Sequence, residues 1–305
     1  MLLENILGFF KHYFGGLYKR IDEHHLFLVG GGLAFSLLLT TIPLTLIIFS
    51  VLGNLIDPQT VGTQVKQLID TIIPYPVYAE YATRIVMSRI PEVIQYKDIA
   101  AYIGGFGLFF VASGLFSSMR TVLNNIFGVT ADKHPVIGKI RDFGMVWLLI
   151  IFILLSTFIL PALNILISKA SNYELLKFFR LSGFIDYLFS IISLIVIFTL
   201  FFLFYYLIPY EKLGKRIPAV AALWTTFLWE LVRNLFGYYI SHIANLNKIY
   251  GTYALIIVVA FWIYYSSVLF ILGAEIGQLY RERIEVLKNK EQKRKNFFNK
   301  KKQNK

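Results

Sequence analysis

No cysteine occurs in the 305 residues, which excludes disulfides, thiolate metal sites and a cysteine nucleophile. Charge is scarce too: Asp, Glu, Lys and Arg make up 16% of the chain against 57% hydrophobic residues. The five histidines, His12, His24, His25, His134 and His242, stand apart, with no HExxH pair, no HxH beside an Asp and no carboxylate cluster. A metallo-hydrolase or metallo-nuclease site therefore has no donor set. A GxSxG nucleophile elbow is missing as well, so neither an enzyme activity nor a cofactor is expected. The glycine run Gly30-Gly31-Gly32 is no phosphate loop, because no strand precedes it and no Lys-Ser/Thr pair follows.

What is abundant is apolar length. Mean hydropathy is +0.63, and several apolar stretches reach the roughly 20 residues that a helix needs to cross a hydrocarbon core of about 30 Å. They are continuously apolar where barrel strands would alternate, so the expected fold is an all-α, polytopic membrane helix bundle. Six spans are expected, at about 29–53, 99–119, 144–168, 183–208, 217–240 and 253–279. Pro43 should kink the first span or break it into two halves.

The segments between and around the spans are amphipathic. Residues 1–28 carry apolar positions at helical spacing, from Leu2 and Ile6 to Leu17 and Ile21, and read as an interfacial helix. A cleaved signal peptide is not expected, since charges interrupt the apolar run and no small-residue cleavage site follows. Residues 54–98 hold two short apolar stripes, Val61 to Ile73 and, after Pro74 and Pro76, Tyr78 to Ile90. These are expected to form an extracytoplasmic helical cap between spans 1 and 2. From Arg281 the chain turns basic and low in complexity, and a short helical exit followed by a disordered tail is expected.

An even number of crossings puts both ends on one side. On that side fall 21 Lys and Arg, against eight on the other, which makes the shared side cytoplasmic. The tail, residues 281–305, supplies eleven of them; it is a natural partner for anionic lipid headgroups, and no specific nucleic-acid partner is expected.

Charges within spans cost at least about 2.5–3.5 kcal/mol each at the bilayer centre, so they mark candidate sites. Glu230, Arg233 and Asn234 share one face of the fifth span at i, i+3 and i+4. Glu275 lies in the sixth span beside Gly273 and Gly277, a pair that permits close helix approach. Either these side chains line a polar cavity that binds a charged headgroup or relays protons, or they lock the bundle as buried ion pairs. The other small-residue faces, Gly30 to Ala34 and Gly104 to Ser117, read as helix-packing surfaces.

Particular residues resemble a family. The run Gly31-Gly32-Leu33-Ala34-Phe35-Ser36-Leu37-Leu38 ending at Ile42-Pro43, the stretch Ala112-Ser113-Gly114-Leu115, and Leu123-Asn124-Asn125-Ile126-Phe127-Gly128-Val129 are similar to the YihY/BrkB family of bacterial inner-membrane proteins. So are Tyr205-Tyr206-Leu207-Ile208-Pro209, Trp229-Glu230, Ile249-Tyr250-Gly251-Thr252-Tyr253, and Phe261-Trp262-Ile263-Tyr264 leading to Gly273-Ala274-Glu275. Pro218-Ala219-Val220 stands where the family tends to have Pro-Gly-Ala, and Phe35 where Tyr is common. The resemblance implies six spans and a plasma-membrane address. It also brings a historical ribonuclease label, for which this sequence holds no catalytic constellation.

Buried charge, a proline in a span and an amphipathic cap together lead to the expectation of a transporter or flippase-like protein for an amphiphilic or anionic envelope molecule. The competing expectation is a scaffold that recruits partners or anionic lipid through its basic tail.

Overall fold

The computed structural model describes residues 11–55, 76–129, 136–152, 184–239 and 253–303, with the isolated helical positions 63, 65–66 and 69–70 between the first two stretches. A π-helical turn, Lys11–Gly15, leads into α1 (Gly16–Glu23). There follow α2 (Leu26–Leu55), α3 (Pro76–Gln95), α4 (Lys97–Ile126), α5 (136–152), α6 (Phe184–Leu207), α7 (Arg216–Tyr238) and α8 (Ala254–Gln303). No strand occurs among the described residues, and the all-α bundle is the observed fold. Among the described residues three stretches are long and apolar enough to cross a membrane, Leu26–Ile47, Ala101–Ile126 and Ile256–Lys293; Ile191–Leu207 is a shorter apolar one. The second half of the expected third span and the first cap stripe lie outside the described residues, apart from the isolated helical positions 63, 65–66 and 69–70.

The α1–α2 junction turns at His24 and His25, where His25 takes a left-handed φ of 46°. Leu26, at the head of α2, is buried. Phe14 and Tyr18, about one helical turn apart, are exposed.

Pro43 does not divide α2, which runs unbroken from Leu26 to Leu55. Hydroxyls and a glycine surround the ring. The Thr40 and Thr41 hydroxyls donate to the Ser36 and Leu37 carbonyls (2.7 and 3.0 Å), and Thr45 donates to Thr41 (2.7 Å), so hydroxyls bracket the proline. Gly107 of α4 faces the ring, leaving room where a Cβ would stand 3.2 Å from Pro43.

The most extensive pairings are α2 with α4 and α7 with α8; α8 then packs on α2, and α6 on α7. Glycines set two of these distances. A Cβ on Gly104 would meet Leu46 at 2.9 Å, and one on Gly30 would meet Val268 at 2.7 Å. Gly32, Gly105 and Gly114 face open space, so the small-residue faces pack at some positions only. At the α7–α8 crossing a Cβ on Gly273 would fall 1.7 Å from Thr225 Oγ1. Beside it Tyr205 of α6 donates to the Phe270 carbonyl (2.6 Å), contacts Thr225 Oγ1 (2.6 Å) and stacks on the Phe270 ring. This polar knot, fully buried, ties α6, α7 and α8 together.

α8 corrects one expectation: where a disordered tail was predicted after a short exit, the helix continues to Gln303, 50 residues in all and about 75 Å long. Lys, Arg, Glu and Gln make up eleven of its last sixteen residues, and all are good helix formers.

Candidate functional site

Three groups of polar side chains lie within the bundle or at its ends. The first joins the ends of α4, α5, α6 and α8. Arg120, nearly buried, is paired with Asp142 and donates to the Gly138 carbonyl (3.1 Å) and Ser117 Oγ (3.1 Å). Arg141 donates to the carbonyls of Leu207 and Pro209, and Arg281 to that of Phe127 (3.1 Å). Tyr210 lies under Arg120 and Arg141, and its amide donates to Asn124 (3.0 Å). These arginines satisfy carbonyls at helix ends that would otherwise be orphaned. Burial pushes the Asp142 carboxyl above its usual range, with Arg120 opposing; burial and the neighbouring Arg120 lower Arg141. The group draws the loops after α4 and α6 and the exit of α8 onto one end of the bundle.

The second group sits about 9 Å further in along α8, where Glu275 is 0% exposed. Its Oε2 accepts from Arg20 (3.0 Å) and its Oε1 from the Nδ1–H of His24 (2.5 Å). Arg20 reaches on to Glu282 (2.5 Å), which also accepts from Gln278 (3.3 Å). Glu275 is thereby the anchor of α1. Among the described residues it is not in the wall of the groove that Glu230 lines.

The third group holds the other candidate residues. Arg233 and Asn234 both donate to Glu230 Oε1 (2.6 and 3.3 Å), Asn234 also donates to the Glu230 carbonyl (2.9 Å), and Arg233 lies over the Trp229 ring. Glu230 comes fourteen residues after Arg216, about 21 Å along α7, and its side chain is half-buried. Its Oε2 is buried with no hydrogen-bond partner among the described residues.

Glu230 stands in the wall of a groove of about 560 Å³ between α6 and α7, lined by Ile195, Phe198, Trp224 and Phe227 among others. Apart from Glu230, the polar residue in that wall is Thr226, one turn away and 7% exposed, whose Oγ1 is likewise unpartnered. The sequence reading passed over Thr226, although its i, i+4 spacing to Glu230 was available. It also took His24 as interfacial, and no local signal connects His24 or Arg20 to a residue some 250 positions away.

Among the described residues no three His, Asp or Glu side chains gather to hold a metal ion. Comparison with known proteins decides the kinship: residues 17–297 match the family described as virulence factor BrkB. The chain belongs to the BrkB family. Its relatives in that family include a UPF0761 membrane protein of Prosthecochloris aestuarii, 30% identical over 88% of this chain and 61% of that protein. Another, of Vibrio campbellii, is 25% identical over 92% of this chain and 85% of its own, and one of Cronobacter sakazakii is 26% identical over 85% of each. The chain thus spans about three fifths of the first relative's length and most of the other two. No solved structure matches. Like these BrkB-family relatives, the chain is an integral membrane protein, and its three long apolar helices are the segments that fit a bilayer.

Proposed function

We propose that this protein carries an amphiphilic envelope molecule across the bacterial plasma membrane, as a transporter or flippase-like protein with both termini in the cytoplasm. The observation that carries this reading is the unpartnered Glu230 Oε2, buried behind the apolar surface of a groove between α6 and α7. A carboxylate at that depth without a full set of donors is costly for a purely structural pair. An apolar groove of this size matches the tail of such a molecule. A carboxylate favours the amphiphilic over the anionic class of cargo at this site.

The test is transbilayer movement of chain-labelled lipids in vesicles reconstituted with the full chain. Movement above that of protein-free vesicles is expected, and it should fall when Glu230 and Arg233 are neutralised together. The reading fails if no lipid moves faster than in empty vesicles, or if the double variant moves it at the parental rate.

One observation favours a second reading. The basic end of α8 is helical, with Lys288 and Lys293 exposed, a form suited to scaffolding through partners or anionic lipid. Because Arg281 contacts Phe127 and Glu211 at the bundle's end, the separating truncation must start later, at Lys288. Loss of residues 288–305 should leave lipid movement in vesicles intact. A scaffold would instead lose its cellular role with no change in vesicles.

A further inference from the structure

We propose that Lys139 is the docking point for one anionic phospholipid, whose phosphate it holds at the α4–α5 edge of the bundle. The proposal goes beyond the transport reading and concerns a bound lipid, not a cargo.

In the cluster at this end of the bundle the arginines already have partners. Arg120 is paired with Asp142, and Arg281 lies 3.7 Å from Glu211 and 3.2 Å from Glu285. Arg141 is held by the Leu207 and Pro209 carbonyls. Lys139 is left over. Among the described residues it has no carboxylate within ion-pair distance, and Asp142, three positions on along α5, is committed to Arg120. Its hydrogen bond there is a long one, to Ser113 Oγ at 3.4 Å, which leaves two of the three ammonium N–H groups for another acceptor.

The ammonium stands on the bilayer side of the cluster. Ser113 comes seven residues before Arg120 on α4, about 10 Å further in, within the apolar stretch Ala101–Ile126. α5 lies alongside, its Phe143 ring stacked on Phe109 of α4 with centroids 3.7 Å apart. Lys139 is exposed. So are Val136, Ile140 and Trp147, which recur at helical spacing beside it, and Phe106 and Phe110 on α4.

These surroundings decide the partner. A lysine flanked by apolar side chains that belong in lipid keeps its stem against them and turns its charge toward the headgroups. The acceptor in supply at that level is the phosphate oxygen, and Lys binds phosphate as a point charge. A zwitterionic headgroup brings its own cation to that phosphate, whereas an anionic one leaves it to Lys139. Trp147, eight residues or about 12 Å along α5, then stands beside the acyl chain.

Trp147 is therefore the reporter. The full chain, with Trp224, Trp229 and Trp262 replaced by Phe, is placed in phosphatidylcholine nanodiscs holding a minor fraction of phosphatidylglycerol brominated in its chains. Quenching of Trp147 is compared with that by the same fraction of brominated phosphatidylcholine. Phosphatidylglycerol is expected to quench as though enriched about fivefold at the site, the effect of one lysine near an anionic headgroup. Lys139→Gln should bring the two lipids level, and Lys139→Arg should keep the preference. Equal quenching in the parent overturns the proposal. So does a preference that survives Lys139→Gln, which would assign the anionic lipid to the basic end of α8. Loss of the preference in excess inorganic phosphate overturns it too, since the site would then take a soluble anion.

A second measurement needs no Phe background. Replacing phosphatidylcholine by phosphatidylglycerol should raise the unfolding temperature of the chain with its natural tryptophans. Lys139→Gln should lose part of that rise yet unfold at the parental temperature in phosphatidylcholine. Equal destabilisation in both lipids would mean that Lys139 only ties α5 to Ser113, and the proposal would fail.

Discussion

Gly273 shows how much can depend on one missing methyl group. Its backbone lies so close to Thr225, Tyr205 and the Ala221 carbonyl that any side chain would displace the knot joining three helices. Gly273→Ala should lower stability by at least the roughly 1–3 kcal/mol typical of overpacking. Combining it with Thr225→Ala, which removes the nearest atom, should recover most of the loss. Thermal unfolding of the single and double variants in detergent measures both, and a Gly273→Ala protein as stable as its parent would contradict the geometry. Part of this was legible beforehand: the Gly273–Gly277 spacing announced a close approach. What it approached was not, because Tyr205 and Thr225 look like ordinary span residues until the helices carrying them are laid together. The same holds for the candidate site. Glu230, Arg233 and Asn234 could be grouped from spacing on one helix, whereas the partners of Glu275 come from the other end of the chain.

At the level of elements, helix existence and position followed from apolar length. Val29 to Gly53 became Leu26–Leu55, residues 183–208 became Phe184–Leu207, and 217–240 became Arg216–Tyr238. Breaks were read less well. Pro43 was expected to kink the first span or break it into two halves; the helix runs unbroken through it, with the facing Gly107 leaving room for the ring. The tail's charge suggested disorder, but lysines and glutamates also make good helices. The element whose attachment depends most on a single residue is α1, held to α8 by Arg20 and His24 on the buried Glu275. Glu275→Gln removes one of the two carboxylates on Arg20, which keeps Glu282, a loss on the scale of about 1.5–3 kcal/mol for a hydrogen bond to a charged group. Backbone amides of residues 16–23 should then exchange hydrogen much faster while those of α7 stay protected. Unchanged exchange in α1 would mean that apolar contacts, such as Gly16 against Leu279, hold it instead.

For the whole molecule, the arginine cluster at one end gathers loops that the charge count had assigned to one side of the membrane. The sequence could supply that count but not the contacts, since Arg141 reaches carbonyls more than 60 residues away. The absence of cysteine makes the sidedness directly measurable. A single cysteine in place of exposed Lys288 should react with an impermeant maleimide only in opened cells. One in place of exposed Ser88, on α3, should react in intact cells. The opposite pattern would invert the topology.

The length of α8 has mechanical meaning. From the tight crossing at Gly273 to Gln303 runs an uninterrupted arm of thirty residues, about 45 Å. A tilt of about 10° at that fulcrum moves the far tip by roughly 8 Å, given the rise per residue. Leverage works in both directions: whatever grips the tip also steers the angle at which α8 meets α7, and so how wide the seam beside Glu230 stands.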